Sequence, residues 1–346
     1  MGLIWFWIVA YMLAAYVVLD GFDIGVGIVH LFVARDTSER ELLINSIGPV
    51  WDGNEVWLIA AGGTLFFAFP LLYASAFSGF YLPLTIVLWL LVLRGISIEL
   101  RAQSSIRVWR ELFDGVFAFA SIFLAIFFGA ALANVVRGVP LGADGYFFAP
   151  LWTNWRIGPE PGILDWYTVI GGLLAVVALA VHGSLYLAIK NEGLIQARSR
   201  TLARRIWPAV LVLTAVSLPA TVIARHASLV NYVHHPVSFV IPFVVIAALL
   251  GVYFFSRAER DLPAFLSSSL YLAAMLAGAA FGLYPTVLPA SGNSAYDITV
   301  ENSLAGHHSL SVGLVWWSFG LLLATGYFVL VYWMFRGKVK TGEGYH

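Results

Sequence analysis

Four carboxylates stand in this chain where the surrounding residues give them little means of staying hydrated. Asp20 and Asp23 interrupt the apolar run from Ile4 to Val33, while Asp52 and Glu55 open the run that continues through Val56–Leu93. Within each pair the acids are three residues apart, which puts both on one face of a helix. A carboxylate inside an apolar span has to be paired, protonated or reached by water, and such groups mark ion or proton pathways by default. The chemistry this points to is proton exchange, with Asp20, Asp23, Asp52 and Glu55 forming a vestibule that takes up protons at one face and passes them inward. Arg94 and Glu99, at the end of the following apolar stretch, are expected to reach the same layer. The structural alternative is an ion pair of Asp52 or Glu55 with Arg94, with Asp52 also favoured by the positive end of a helix, and Asp20 holding its own turn together.

Elements able to position these acids follow from composition. Of 346 residues, 60% are hydrophobic and 11% charged, and the mean hydropathy is +0.86; a soluble domain carries about a quarter charged residues. The 19 basic and 19 acidic side chains cancel, which argues against a nucleic-acid-binding chain or an acidic disordered one. The absence of Cys removes disulfides, thiolate metal sites and cysteine nucleophiles. What is left is an all-α polytopic membrane helix bundle forming a single domain over 1–346. About 20 apolar residues cross a hydrocarbon core of roughly 30 Å. Nine stretches qualify: 4–33, 48–73, 77–98, 115–136, 166–189, 206–224, 237–256, 264–288 and 309–335. The charge-free run Val56–Leu93 counts as two of these, joined near Tyr73–Phe77, and the first of them begins at Gly48-Pro49 because Pro suits a first helical turn.

Sixteen of the 19 Lys and Arg follow odd-numbered spans, and only Arg137, Arg156 and Arg225 follow even-numbered ones. That asymmetry places the N-terminus outside and the C-terminus in the cytoplasm. The first span has no basic leader and no A-x-A cleavage site, so it reads as a retained helix. At 1.5 Å per residue Asp20 and Asp23 lie about 24 and 28 Å inward from Ile4, while Asp52 and Glu55 lie about 6 and 10 Å from Gly48. All four therefore fall toward the cytoplasmic face, as the only acids clearly inside spans. The long loops 137–165 and 289–308 fall outside, rich in Gly, Pro and aromatics.

Other residue types narrow the chemistry further. Gly21 and Gly25 form a small-xxx-small face suited to close helix packing, and no strand precedes them as a nucleotide loop requires. Of eight His only His182 sits well inside a span, with His30 near an inner end, and no two deep His face each other. The chain is thus poorly equipped to hold a haem, whose iron takes His or Met ligands; His182 reads as a hydrogen-bonded packing residue. Most Trp and Tyr read as interfacial belts. Trp57, about 9 Å beyond Trp51 along its helix, either fills a packed core or lines a cavity.

Taken in order, Asp20-Gly-Phe-Asp23-Ile-Gly-Val-Gly27, then Gly48-Pro-Val-Trp-Asp52-Gly-Asn-Glu55-Val-Trp57-Leu-Ile59, then Leu93-Arg94-Gly95 with Glu99-Leu-Arg101, then His182–Gly193 and Phe335–Val339, the chain resembles subunit II of cytochrome bd-type quinol oxidases. The likeness runs over essentially the whole length, and the Gly48–Ile59 block is its most specific part; Arg156–Asp165 and Ala290–His308 fall outside the pattern. The resemblance implies a terminal oxidase of the bacterial inner membrane that oxidises quinol and reduces dioxygen to water. It implies a partner subunit I carrying two b-type haems and one d-type haem, no haem in this chain, and room for a bound quinone and a small accessory subunit. By the same resemblance Asp52 belongs to a proton route and Trp57 lies near an oxygen path. From another class, intramembrane acids in Gly-interrupted spans also fit a proton-coupled secondary transporter, against which the lack of an evident repeat between the halves counts.

Overall fold

Pro70 and the long apolar runs decide where this chain is helical and where it bends. The computed structural model describes residues 1–339, so Lys340, counted above among the basic residues, lies outside the described part. Its helices are α1 (Gly2–Val33), α2 (Thr37–Ile47), α3 (Trp51–Ala68), α4 (Pro70–Gly79), α5 (Tyr81–Arg101), α6 (Arg107–Arg137), α7 (Trp166–Lys190), α8 (Gly193–Ala224), α9 (Val230–His234), α10 (Val240–Arg257), α11 (Asp261–Leu283), α12 (Val300–Ser303) and α13 (His307–Met334). Strands β1 (Thr286–Leu288) and β2 (Ile298–Thr299) pair antiparallel between α11 and α12. Among the described residues eight helices are long and apolar enough to cross a membrane: α1, α5, α6, α7, α8, α10 with the turn leading into it, α11 and α13. The remaining expected crossing falls on α3, whose 18 residues begin with Trp51, Asp52, Gly53, Asn54 and Glu55 and are less apolar for it.

The junction expected at Tyr73–Phe77 is instead a short helix, α4, and the chain bends at Phe69 and Phe80. The residue before a proline is steered away from helical geometry, and Phe69, ahead of Pro70, has φ −133° and ψ 65°. Along α3, Asn54, Thr64 and Phe67 meet Asp23, Met12 and Trp5 in turn, so α3 runs antiparallel to α1.

α1 is the central element, packed against α3, α6, α7 and α11. Its crossing with α7 brings backbone against backbone. A Cβ on Gly25 would lie 2.1 Å from the Leu179 carbonyl oxygen, one on Gly183 would lie 2.2 Å from the Gly25 carbonyl carbon, and one on Gly21 would meet the Leu179 side chain at 3.0 Å. Gly129 and Gly171 make a second such crossing between α6 and α7. Close approach of this kind is how helices gain packing in lipid, where apolar faces have no hydrophobic reason to associate.

The two long loops meet at one end of the bundle, where the Val139 N–H donates to the Pro289 carbonyl (2.9 Å) and the Ser291 N–H to the Val139 carbonyl (2.8 Å). Asp165 caps α7 by accepting from the N–H groups of Tyr167 and Thr168, and it pairs with the buried Arg137 at the end of α6. Outermost is α13, with Leu310 its only buried residue.

Candidate functional site

One turn separates Asp20 from Asp23 on α1, and both are fully buried. Opposite them α5 presents Arg94, also fully buried, whose guanidinium grips Asp20 in a two-pronged pair: Nη1 donates to Oδ2 (2.7 Å) and Nη2 to Oδ1. Such fork-to-fork pairing is the strongest form a side-chain ion pair takes. Arg94 Nη2 also lies 3.7 Å from Glu55 Oε2 on α3. The ion pair expected between Arg94 and Asp52 or Glu55 is therefore centred on Asp20, with Glu55 as its second carboxylate.

Asp23 leads in another direction. Its Oδ2 accepts from Asn54 Nδ2 (2.7 Å), Asn54 Nδ2 also reaches the Leu19 carbonyl (3.3 Å), and Tyr332 OH donates to Asn54 Oδ1 (2.9 Å). A line of hydrogen bonds thus runs from α13 through α3 to α1. Asp23 Oδ1 and Arg94 Nε are buried without a hydrogen-bond partner among the described residues. Because Asn54 sits level with Leu19 and Asp23, it lies about 15 Å from the Val33 end of α1, and the start of α3 at Trp51 about 10 Å from it. The depth counted from Gly48 underestimates this, because α2 lies between the end of α1 and the start of α3.

Two expected members of the layer are elsewhere. Asp52 is exposed on the first turn of α3, and Glu99, exposed and five residues beyond Arg94, makes no ion pair among the described residues. Trp57 is buried between Tyr11 (ring centroids 5.9 Å apart) and Phe328 (5.6 Å). Gly21 and Gly25 occupy the α1–α7 crossing described above, next to Asp20 and Asp23.

Sequence reasoning missed three contributors. Asn54 lies between Asp52 and Glu55, and a third polar side chain in the same turn of an apolar helix is the signal that points to it. Tyr332 had no signal beyond its hydroxyl in an apolar helix. Asp114 is a buried acid inside α6 and corrects the count of four, because α6 begins at Arg107 and not at Gly115. It accepts from Arg101 Nε (2.6 Å) and Arg40 Nη1 (3.2 Å), and His30 Nε2 lies 3.9 Å away. This second cluster ties α1, α2, α5 and α6 together at their basic ends.

The deep histidines are engaged. His182 Nδ1 meets Ser268 Oγ (2.7 Å) and Nε2 the Val18 carbonyl (2.9 Å), with the ring stacked on Phe265, and His30 Nδ1 meets the Gly27 carbonyl (2.9 Å). Both ring nitrogens of His182 are thus committed, whereas His30 Nε2 is buried without a hydrogen-bond partner among the described residues. Between α1, α6, α7, α8, α10 and α11 lies an apolar cavity of about 570 Å³, lined by residues including Tyr16, Phe128, Leu174, Tyr271 and Met275.

Comparison with known proteins agrees with this architecture. Residues 1–335 match the family described as cytochrome bd terminal oxidase subunit II. The chain is 32% identical over 340 residues to the cytochrome bd ubiquinol oxidase subunit 2 of Bacillus subtilis, covering 98% of this chain and 97% of that one. It is 30% identical over 363 residues to the cytochrome bd-I ubiquinol oxidase subunit 2 of Escherichia coli K12, covering 97% and 94%. A chain in the structure of bd oxidase from Geobacillus thermodenitrificans shares the fold, with a TM-score of 0.74 at 14% identity over 96% of this chain and 98% of that one. By sequence over nearly its whole length, and by a fold of membrane-spanning helices, this chain belongs to the cytochrome bd terminal oxidase subunit II family and is a multi-pass protein of the bacterial inner membrane.

Proposed function

We propose that this chain is the non-haem subunit of a quinol-oxidising, dioxygen-reducing complex, and that it supplies a proton route from the cytoplasm together with support for a haem-bearing subunit I. The observation that carries this reading is the convergence of Asp20 and Glu55 on the single guanidinium of Arg94, with buried Asp23 one turn from Asp20 and bonded to Asn54 instead, and with exposed Asp52 three residues before Glu55 on the same helix. Three carboxyl groups opposite one cation give the layer capacity to take up protons, because water is scarce there and excess negative charge is costly. Asp52 and Glu55 then form the entry, Asp20 and Arg94 a fixed charge pair, and Asp23, Asn54 and Tyr332 a hydrogen-bonded continuation. Substrate quinol and dioxygen react at the haems of the partner, and this chain alone is not catalytic.

Orientation follows the same logic. The basic ends of the helices meet at one end of the bundle, through Arg40 and Arg101 on Asp114, Arg204 on the Ser256 carbonyl and Lys190 on the Phe335 carbonyl. That end faces the cytoplasm, with the N-terminus outside and α3 serving as a ninth crossing, about 27 Å long. The apolar cavity is large enough to take part of a quinone or lipid chain. A proton-coupled transporter is not favoured, since the relatives found are named as oxidase subunits.

Replacing Asp52 by Asn in the assembled complex is expected to slow quinol-dependent oxygen consumption while haem content stays at the parent level. Parent turnover in an assembled Asp52→Asn complex would return Asp52 to the structural role of an acid at the positive end of α3. Trp57, packed between Tyr11 and Phe328, is assigned to the oxygen path. Trp57→Ala is expected to change the oxygen dependence of turnover at saturating quinol and leave the quinol dependence alone, and an unchanged oxygen curve removes that assignment.

A further inference from the structure

Two sequence blocks, His182–Gly193 and Phe335–Val339, have no part in the route just described, yet they meet. Lys190, the buried last residue of α7, donates from Nζ to the carbonyls of Phe335 (2.5 Å) and Gly337 (3.0 Å). In return Lys338 Nζ donates to the Asn191 carbonyl (2.8 Å), and the Val339 N–H donates to the Lys190 carbonyl (2.9 Å). Phe335 and Asn191 are the residues that close α13 and α7. The last carbonyls of a helix have no partner within it and form the negative end of its dipole. Each helix end is therefore capped by a lysine belonging to the other segment.

The consequence falls on α13. Apart from Leu310 its residues are not buried, and apolar contact gives helices little reason to associate in lipid. Yet α13 must hold Tyr332 OH on Asn54, and Phe328 on Trp57. Tyr332 lies three residues before Phe335, so about 4.5 Å of helix separates the capped end from the bond to Asn54. A shift of the capped end is transmitted almost directly to the hydroxyl.

We propose that Lys190 is a positioning residue, which sets Tyr332 on the Asn54–Asp23 pair by holding the C-terminal strap Phe335–Val339. The inference rests on reading the acid cluster as a proton route, and its test separates the two. In the complete two-subunit complex, Lys190→Met is expected to slow turnover about threefold to tenfold through misplacement of Tyr332, with quinol KM and haem content unchanged. Lys190→Arg, which keeps the cation, is expected to stay within about twofold of the parent, and Lys190→Met is expected to add nothing to the slowing caused by Tyr332→Phe.

Parent turnover in Lys190→Met alongside slow Tyr332→Phe overturns the positioning role and leaves the route standing. Parent turnover in Lys190→Met, Tyr332→Phe and Asp23→Asn together overturns the route and the positioning role with it. Slowing that multiplies in the double variant means Lys190 acts elsewhere and also overturns the proposal. If Lys190→Met fails to assemble, Lys338→Met decides, since it removes one tie and keeps the buried ammonium. Faster amide exchange over 328–334 with slowed turnover supports the strap, and parent exchange with parent turnover overturns it.

Discussion

Replacing Asp23 by asparagine is expected to slow quinol-dependent oxygen consumption by about two orders of magnitude, the lower end of the range by which a positioned proton-transfer group accelerates a reaction. The substitution is nearly isosteric. An asparagine Oδ1 can accept the bond that Asn54 Nδ2 now gives to Asp23, so the tie between α1 and α3 survives. What is lost is a group that can bind and release a proton in a fully buried position. Stability is expected to move the other way from activity, because Asp23 is the carboxylate that Arg94 does not contact while Asp20 and Glu55 share that cation. Removing an uncompensated buried charge relieves a desolvation penalty. The measurements are oxygen uptake at saturating quinol, haem content and the unfolding temperature of the complex. A slow enzyme with full haem and an equal or higher unfolding temperature is the expected pattern. Full-speed turnover in that assembled variant would reject Asp23 as a carrier.

The sequence made the acids legible and left their partners obscure, for reasons that lie in how membrane helices are read. A charge interrupting an apolar run is conspicuous, so Asp20, Asp23, Glu55 and Arg94 were visible as a group before any contact was known. Asn54 and Tyr332 are polar but uncharged, and such residues are common enough in spans and belts that only the fold shows them bonded to one another. Depth is hidden for a topological reason: counting from Gly48 as a surface position falls short because α2 intervenes, and Asn54 ends up level with Asp23. The α1 half of the glycine crossing was legible as Gly21 and Gly25. Its other half, Gly183, lies in the His182–Gly193 block and suggests no partner, because nothing in one helix states which helix it meets. Asp114 was lost to a boundary placed several residues late, the least certain quantity in any reading of helical spans.

Arg94→Met is expected to have the larger structural effect, preventing accumulation of the assembled complex. Arg94 is fully buried, as is Asp20, and removing one partner of such a pair leaves the other charge in a medium that cannot solvate it. The loss is about 3–5 kcal/mol for a broken buried pair, a large fraction of the stability a folded protein has to spare. Glu55 loses its cation in the same step, since it depends on the same Nη2 that serves Asp20. Lysine is expected to rescue only in part, because a point charge cannot reproduce the two-pronged grip on Asp20. The diagnostic variant is Arg94→Met combined with Asp20→Asn, in which the stranded charge is removed along with its partner. If the defect is electrostatic, that double variant accumulates better than Arg94→Met alone, as measured by the yield of haem-containing complex after detergent extraction. If Arg94→Met by itself assembles at the parent level, then water or another cation reaches Asp20, and the buried layer is not the closed charge cluster from which the proton route is argued.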